Sequence, residues 1–171
     1  MRKYIVLLLI FVFTGCGYTT RGFIYQTSKI LIEPITNKID ITSEDRKYSG
    51  YTTYPILIEN RLTNKIVNKF NIDGNLKVVN NDNEALKLIC EITDYKKEAL
   101  SYSKENRDEV SEQRLRLHVK IKLVDVSGEI LKDKIIVGET TYFLTGSETA
   151  AQGDLIEDTA RRVLESVVEE W

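Results

Sequence analysis

Histidine and tryptophan occur once each in this chain, and proline and cysteine twice each. With His118 as the sole imidazole and no Cys-x-x-Cys cluster, a multi-histidine or thiolate metal site is excluded. A Ser-His-Asp triad would have to recruit His118 from the middle of a strand, and no Gly-x-Ser-x-Gly elbow is present to hold its serine. No Gly-x-x-x-x-Gly-Lys loop cradles a nucleotide phosphate. Paired acids brought together by folding leave no spacing signal. No catalytic residue, metal ligand or cofactor is therefore nominated, and a non-enzymatic protein is expected. The basic residues (24) do not outnumber the acidic ones (26), which excludes a nucleic-acid binder with a broad positive field.

The one long apolar run stands at the N-terminus. Arg2 and Lys3 precede Tyr4 to Val12, and Phe13-Thr14-Gly15-Cys16 follows. A positive start, an apolar stretch too short to span a bilayer and small residues before a cysteine are the anatomy of a cleaved export signal ending in a lipobox. Residues 1–15 are expected to be removed, leaving Cys16 as the lipidated first residue. Two or three fatty chains on one residue hold a protein stably on a membrane where a single chain does not. Residues 16–27 then form a tether and residues 28–171 a single domain, with 22 basic against 26 acidic residues left in the mature chain. Cys90 is the remaining thiol, so no internal disulfide can form. It shares a strand face with Leu86, Leu88 and Ile92 and reads as a small core residue.

Beyond the tether, Ile30-Leu31-Ile32 marks a short strand ended by Pro34, and residues 37–51 read as a surface loop. Ile58, Leu62, Ile66 and Phe70 recur every fourth residue, predicting an amphipathic helix with Pro55 in its first turn and a stop at Asp73-Gly74. Residues 76–80 and 85–102 are expected to pair as antiparallel strands through Asn80-Asn81-Asp82-Asn83, with a charged loop over 104–112. A further strand runs over residues 129–144 after the Ser127-Gly128 turn. Ser147 caps a last helix whose stripe is Ala160, Val163, Leu164, Val167 and Trp171. The fold class is α+β, with two helices packed on one face of a mostly antiparallel sheet of four to five strands.

The clearest strand carries the one surface feature suited to a ligand. Leu115, Leu117, Val119, Ile121 and Leu123 occupy one face; Arg114, Arg116, His118, Lys120 and Lys122 occupy the other. Unpaired like charges so arranged repel, so they need acidic neighbours or an anionic ligand. A two-residue turn at Ser127-Gly128 would place Lys122 opposite Asp133 and Arg116 opposite Glu139. The same register sends Lys132 and Lys134 to the apolar face, where a bulge or a longer loop would relieve it. A solvated face with cross-strand ion pairs and a ligand surface both remain open for Arg114, Arg116, Lys120 and Lys122.

The order of landmarks is recognisable. Cys16-Gly17-Tyr18 with Arg21-Gly22, the strand Ile30-x-Ile32-x-Pro34-x-x-Asn37, the helix ending at Phe70 and the Tyr95–Tyr102 strand resemble the LptE family of outer-membrane lipopolysaccharide-assembly lipoproteins. The strand over 114–125, the Asp125-x-x-Gly128 turn, Tyr142 and the terminal Glu169-Glu170-Trp171 continue the likeness over nearly the whole mature chain. The resemblance implies a lipid-anchored protein of the periplasmic leaflet of the outer membrane. It also implies partnership with an LptD-type β-barrel, which the protein plugs and helps assemble, and binding of lipopolysaccharide for delivery to the outer leaflet. Gly17 behind the cysteine is not the aspartate that, by the general sorting rule, retains such lipoproteins in the inner membrane. The alternatives are an accessory lipoprotein of another envelope transport or secretion complex, and an envelope hydrolase.

Overall fold

The computed structural model describes residues 25, 27–39, 54–55, 57–103 and 109–169. Their elements are β1 (Lys29–Ile32), β2 (Thr36–Asn37), α1 (Ile58–Asp73), β3 (Lys77–Val79), β4 (Leu86–Tyr102), β5 (Val110–Val124), β6 (Ile130–Phe143) and α2 (Glu148–Val168). The lipobox with Cys16, most of the tether, the loop beyond Ile39 and Trp171 lie outside the described residues.

The helix α1 follows from its four-residue spacing: Ile58, Leu62, Ile66 and Phe70 are all fully buried. It ends as expected at Gly74, whose positive φ of 72° suits glycine and whose N–H donates to the Phe70 carbonyl at 3.0 Å. Pro55 falls ahead of the helix rather than in its first turn, because the N-cap is Leu57, held in the left-handed region. At α2 the Ser147 hydroxyl accepts from the Ala150 N–H, as a serine N-cap should.

The strands form one mixed six-stranded sheet in the order β3-β1-β4-β5-β6, with β2 pairing β4 off that path. This corrects the expectation of four to five mostly antiparallel strands. Strands β4, β5 and β6 are an antiparallel meander, but β1 runs parallel to both β3 and β4, and β2 parallel to β4. It also corrects the expected hairpin of residues 76–80 with 85–102. Because α1 lies between β1 and β3 in sequence, it carries the chain back to the end where β1 began, so β3 must run alongside β1 in the same direction. Strand β1 then sits between β3 and β4, with Ile30 fully buried. The end of the expected 104–112 loop is also strand, since β5 begins at Val110, while residues 104–108 lie outside the described residues.

Both helices cover one face. Leu115, Leu117, Val119, Ile121 and Leu123 of β5 are fully buried beneath them with Leu86, Leu88, Cys90 and Ile92 of β4. Each such side chain is worth about 1.5–3 kcal/mol, and a one-residue slip would bury the cationic set instead. A bulge between Ile92 and Asp94 reverses the alternation of β4. Even-numbered residues face the core before it, and Tyr95 faces the core after it. Burial pushes the Cys90 thiol up to about 12, as a core cysteine requires.

Helix α2 approaches the backbone of β6 closely at Gly138, where an added Cβ would lie 1.9 Å from the Thr159 hydroxyl oxygen. Next to it, the Glu139 backbone N–H donates to Asp158 of α2 at 3.0 Å. The C-terminus of α2 is capped from β6: the Lys132 ammonium donates to the carbonyls of Ser166 (2.9 Å), Val167 (3.3 Å) and Glu169 (3.1 Å). The Tyr25 hydroxyl donates to the same Val167 carbonyl at 2.5 Å, and Lys132 stands 5.9 Å from the Tyr25 ring centre. No helix among the described residues is long and apolar enough to cross a membrane.

Candidate functional site

The sheet face that the helices leave open is centred on β5, and there Arg114, Arg116, His118, Lys120 and Lys122 stand half-buried between the neighbouring strands. The β5–β6 register matches the two-residue-turn expectation: Arg116 lies opposite Glu139 and Lys122 opposite Asp133. The one irregularity is between Leu123 and Val124, at the turn, so it leaves that register intact along the strands. Lys132 and Lys134 therefore do fall on the helix side. Lys132 is accommodated as the cap of α2, and Lys134 is exposed near the sheet edge.

Acids from both flanking strands meet the cations. Glu139 on β6 takes the Arg116 Nε at 3.0 Å on one oxygen and the Arg114 Nε at 3.4 Å on the other. On the other side Arg116 reaches Glu98 of β4 at 3.3 Å. Lys120 pairs with Asp133 at 3.4 Å, one step diagonal from its register partner. Lys122 has no ion pair among the described residues, and His118 keeps a covered, unpartnered Nε2. The four nominated cations thus lie together on one strand face. Three of them are already engaged by carboxylates, in pairs exposed enough to be worth at most about 1 kcal/mol each.

A second polar group, beyond the reach of sequence reasoning, lies where the N-terminus of α2 meets the sheet. The Lys97 ammonium donates to Glu148 at 2.7 Å, and the Tyr142 hydroxyl lies 2.6 Å from the Gln113 side-chain oxygen and 3.2 Å from Glu148. The Tyr95 hydroxyl is buried beside them without a hydrogen-bond partner among the described residues. Burial first, and then the charges of Glu148 and Tyr142, raise its pKa. Burial opposes the charge on Lys97, but its bonds to Glu148 and Tyr142 outweigh that and raise its pKa. Three strands and a helix contribute these residues, so no spacing could have announced them.

Among solved structures, the chain is similar to a hypothetical protein from Chlamydia trachomatis at 10% identity and a TM-score of 0.55, over 82% of this chain and 96% of that one. A minor lipoprotein from Acinetobacter baumannii gives 15% identity and a TM-score of 0.50, over 82% and 92%. Rare lipoprotein B from Shewanella oneidensis gives 16% identity and a TM-score of 0.48, over 80% and 92%. None of the curated proteins matches by sequence. The first two likenesses establish a shared α+β fold, two helices on one face of a mixed sheet. The family model described as LptE, lipopolysaccharide-assembly, matches residues 37–170. The chain belongs to the LptE family.

Proposed function

We propose that this protein is a lipopolysaccharide-assembly lipoprotein of the outer membrane, made as a precursor cleaved after residue 15 and held in the periplasmic leaflet by lipid on Cys16. Residues 16–27 serve as the tether and residues 28–171 as the working body, with no cofactor beyond the covalent lipid and no catalytic step. The body plugs an LptD-type β-barrel, helps it assemble, and binds lipopolysaccharide on its way to the outer leaflet. The observation that carries this reading is the family match over residues 37–170, which takes in every element from α1 through α2. The open sheet face agrees with it. Its cations are largely neutralised across strands, so the face is polar and exposed without a large field, and the barrel contact is taken to rest on shape and apolar surface elsewhere. Arg114, Arg116, Lys120 and Lys122 are the residues assigned to the phosphates of the glycolipid.

The deciding experiment recovers the full-length protein from native membranes and identifies what accompanies it. An outer-membrane barrel in stoichiometric amount is expected, and its consistent absence from a folded, lipidated preparation would overturn the plug. Mass spectrometry of the same preparation tests the anchor: the mature chain should begin at a lipid-modified Cys16, and any other N-terminus removes it. Reversing Arg116 and Lys120 to glutamate should weaken binding of purified lipopolysaccharide by well over tenfold while leaving the barrel associated, since charge-assisted bonds are worth about 1.5–3 kcal/mol each. Added salt should weaken wild-type binding in the same direction.

A further inference from the structure

The two arginines assigned to the ligand already hold an anion. Glu139 accepts a hydrogen bond from the Arg116 Nε at 3.0 Å on one carboxylate oxygen and forms an ion pair, without a hydrogen bond, with the Arg114 Nε at 3.4 Å on the other, so a single planar anionic group lies between two guanidinium groups that stand two residues apart on one strand face. This carboxylate is not free to swing away with its backbone. Glu139 donates its backbone N–H to Asp158, and the preceding Gly138 lies hard against Thr159, so α2 pins the strand at that point. The side chains concerned are between about a quarter and two-fifths exposed, which leaves the oxygens reachable from solvent. Glu98 reaches Arg116 alone at 3.3 Å, and Lys122 has no ion pair among the described residues.

We propose that Glu139 is a built-in stand-in for a ligand phosphate, a resident competitor that a phosphate group must displace to reach Arg114 and Arg116, and that this exchange sets the affinity of the open face for its ligand. The proposal rests on the reading of that face as the lipopolysaccharide surface and adds the residue that regulates it. The exchange is chemically reasonable because a phosphate monoester supplies three acceptor oxygens against the two of a carboxylate, and more negative charge at neutral pH. A monoanionic phosphodiester head group gains much less by the exchange. The competitor therefore discriminates in favour of terminal phosphates and keeps the face from adhering to any anionic surface. It also leaves the arginines paired when no ligand is present, when a bare cationic stripe would repel itself.

The test compares full-length Glu139→Gln, Glu98→Gln and Glu157→Gln with wild type, after melts confirm that each is folded. All three remove one negative charge, but Glu157 lies on the helix side, where it pairs with Lys65 and Lys69. Glu139→Gln should tighten binding of purified lipopolysaccharide about tenfold, Glu98→Gln less, and Glu157→Gln not at all. Inorganic pyrophosphate should compete for the face, more strongly in Glu139→Gln than in wild type. Phosphatidylglycerol vesicles lacking lipopolysaccharide should show no comparable gain. Equal tightening by Glu139→Gln and Glu157→Gln would reduce the effect to net charge and overturn the proposal, as would an equal gain for the vesicles. Unchanged or weaker binding in Glu139→Gln, with binding lost in the folded Arg116→Glu, Lys120→Glu double variant, overturns the competitor and leaves the lipopolysaccharide surface standing. Unchanged affinity in both variants overturns the two together.

Discussion

The two faces of β5 are made by the same fifteen residues and differ in almost every physical respect. On the helix side, five aliphatic side chains are fully buried and their energy comes from area removed from water. On the open side, four cations and a histidine stay half-exposed, and three of the cations, Arg114, Arg116 and Lys120, are held by acids of β4 and β6 in pairs that contribute little. The difference separates two tasks within one strand. Stability resides almost wholly on one side, so the other can be varied, or occupied by a ligand, at little cost to folding.

The contrast breaks most severely if a charge is placed on the dry side. Leu117→Asp or Ile121→Asp should destabilise the protein by more than about 4 kcal/mol, since each buries an unpaired charge, and the variants should be unfolded by circular dichroism at room temperature. A smaller break comes at the helix–strand contact. Gly138→Ala should cost about 1–3 kcal/mol by driving a methyl group into Thr159, and a Gly138→Ala, Thr159→Ala double-mutant cycle should show coupling above about 0.5 kcal/mol in urea melts. An additive cycle would mean that α2 can shift freely over β6.

Acid sharpens the comparison further. Burial works against the charge on Asp158, but the Glu139 N–H and the guanidinium groups of Arg162 and Arg161 outweigh it and hold its carboxyl below the ordinary range. A carboxyl depressed in the folded state contributes stability above its unfolded pKa and loses it as pH falls through the folded value. Wild type should therefore lose stability below about pH 4, and Asp158→Asn should show a shallower decline over that window in melts at fixed salt. Identical slopes would remove Asp158 from the acid response. The smallest effect belongs to the wet side: Lys120→Ala should change the unfolding free energy by no more than about 0.5 kcal/mol.

The parts of the fold governed by local pattern were legible from the residues themselves. The alternation of β5 assigned both its faces and the four-residue spacing placed α1 and its end at Gly74, whereas the β5–β6 register stayed open because the two-residue-turn pairing sends Lys132 and Lys134 to the helix side, where the cap on α2 and the sheet edge accommodate them. What was not legible depends on contacts distant in sequence. Nothing in residues 76–80 says that β1 will insert beside them, because that pairing is decided by the crossover through α1. The bulge near Thr93 likewise hides in an unremarkable run, and only its partner strand reveals that one residue has dropped out of the ladder. At the candidate site the four cations could be grouped from β5 alone. The engagement of Glu139 by two arginines at once could not, since it depends on side-chain reach as well as register.

The bond from Tyr25 to the last turn of α2 has a mechanical consequence. Strand β1 is only four residues long, and a pull on the chain ahead of it would by itself unzip the sheet one hydrogen bond at a time. Tyr25 intercepts that pull and delivers it to the Val167 carbonyl, where Lys132 passes it on to the edge strand β6. Force arriving from the N-terminal side is thus shared between the helix and the far edge of the sheet, and the short strand is spared from peeling.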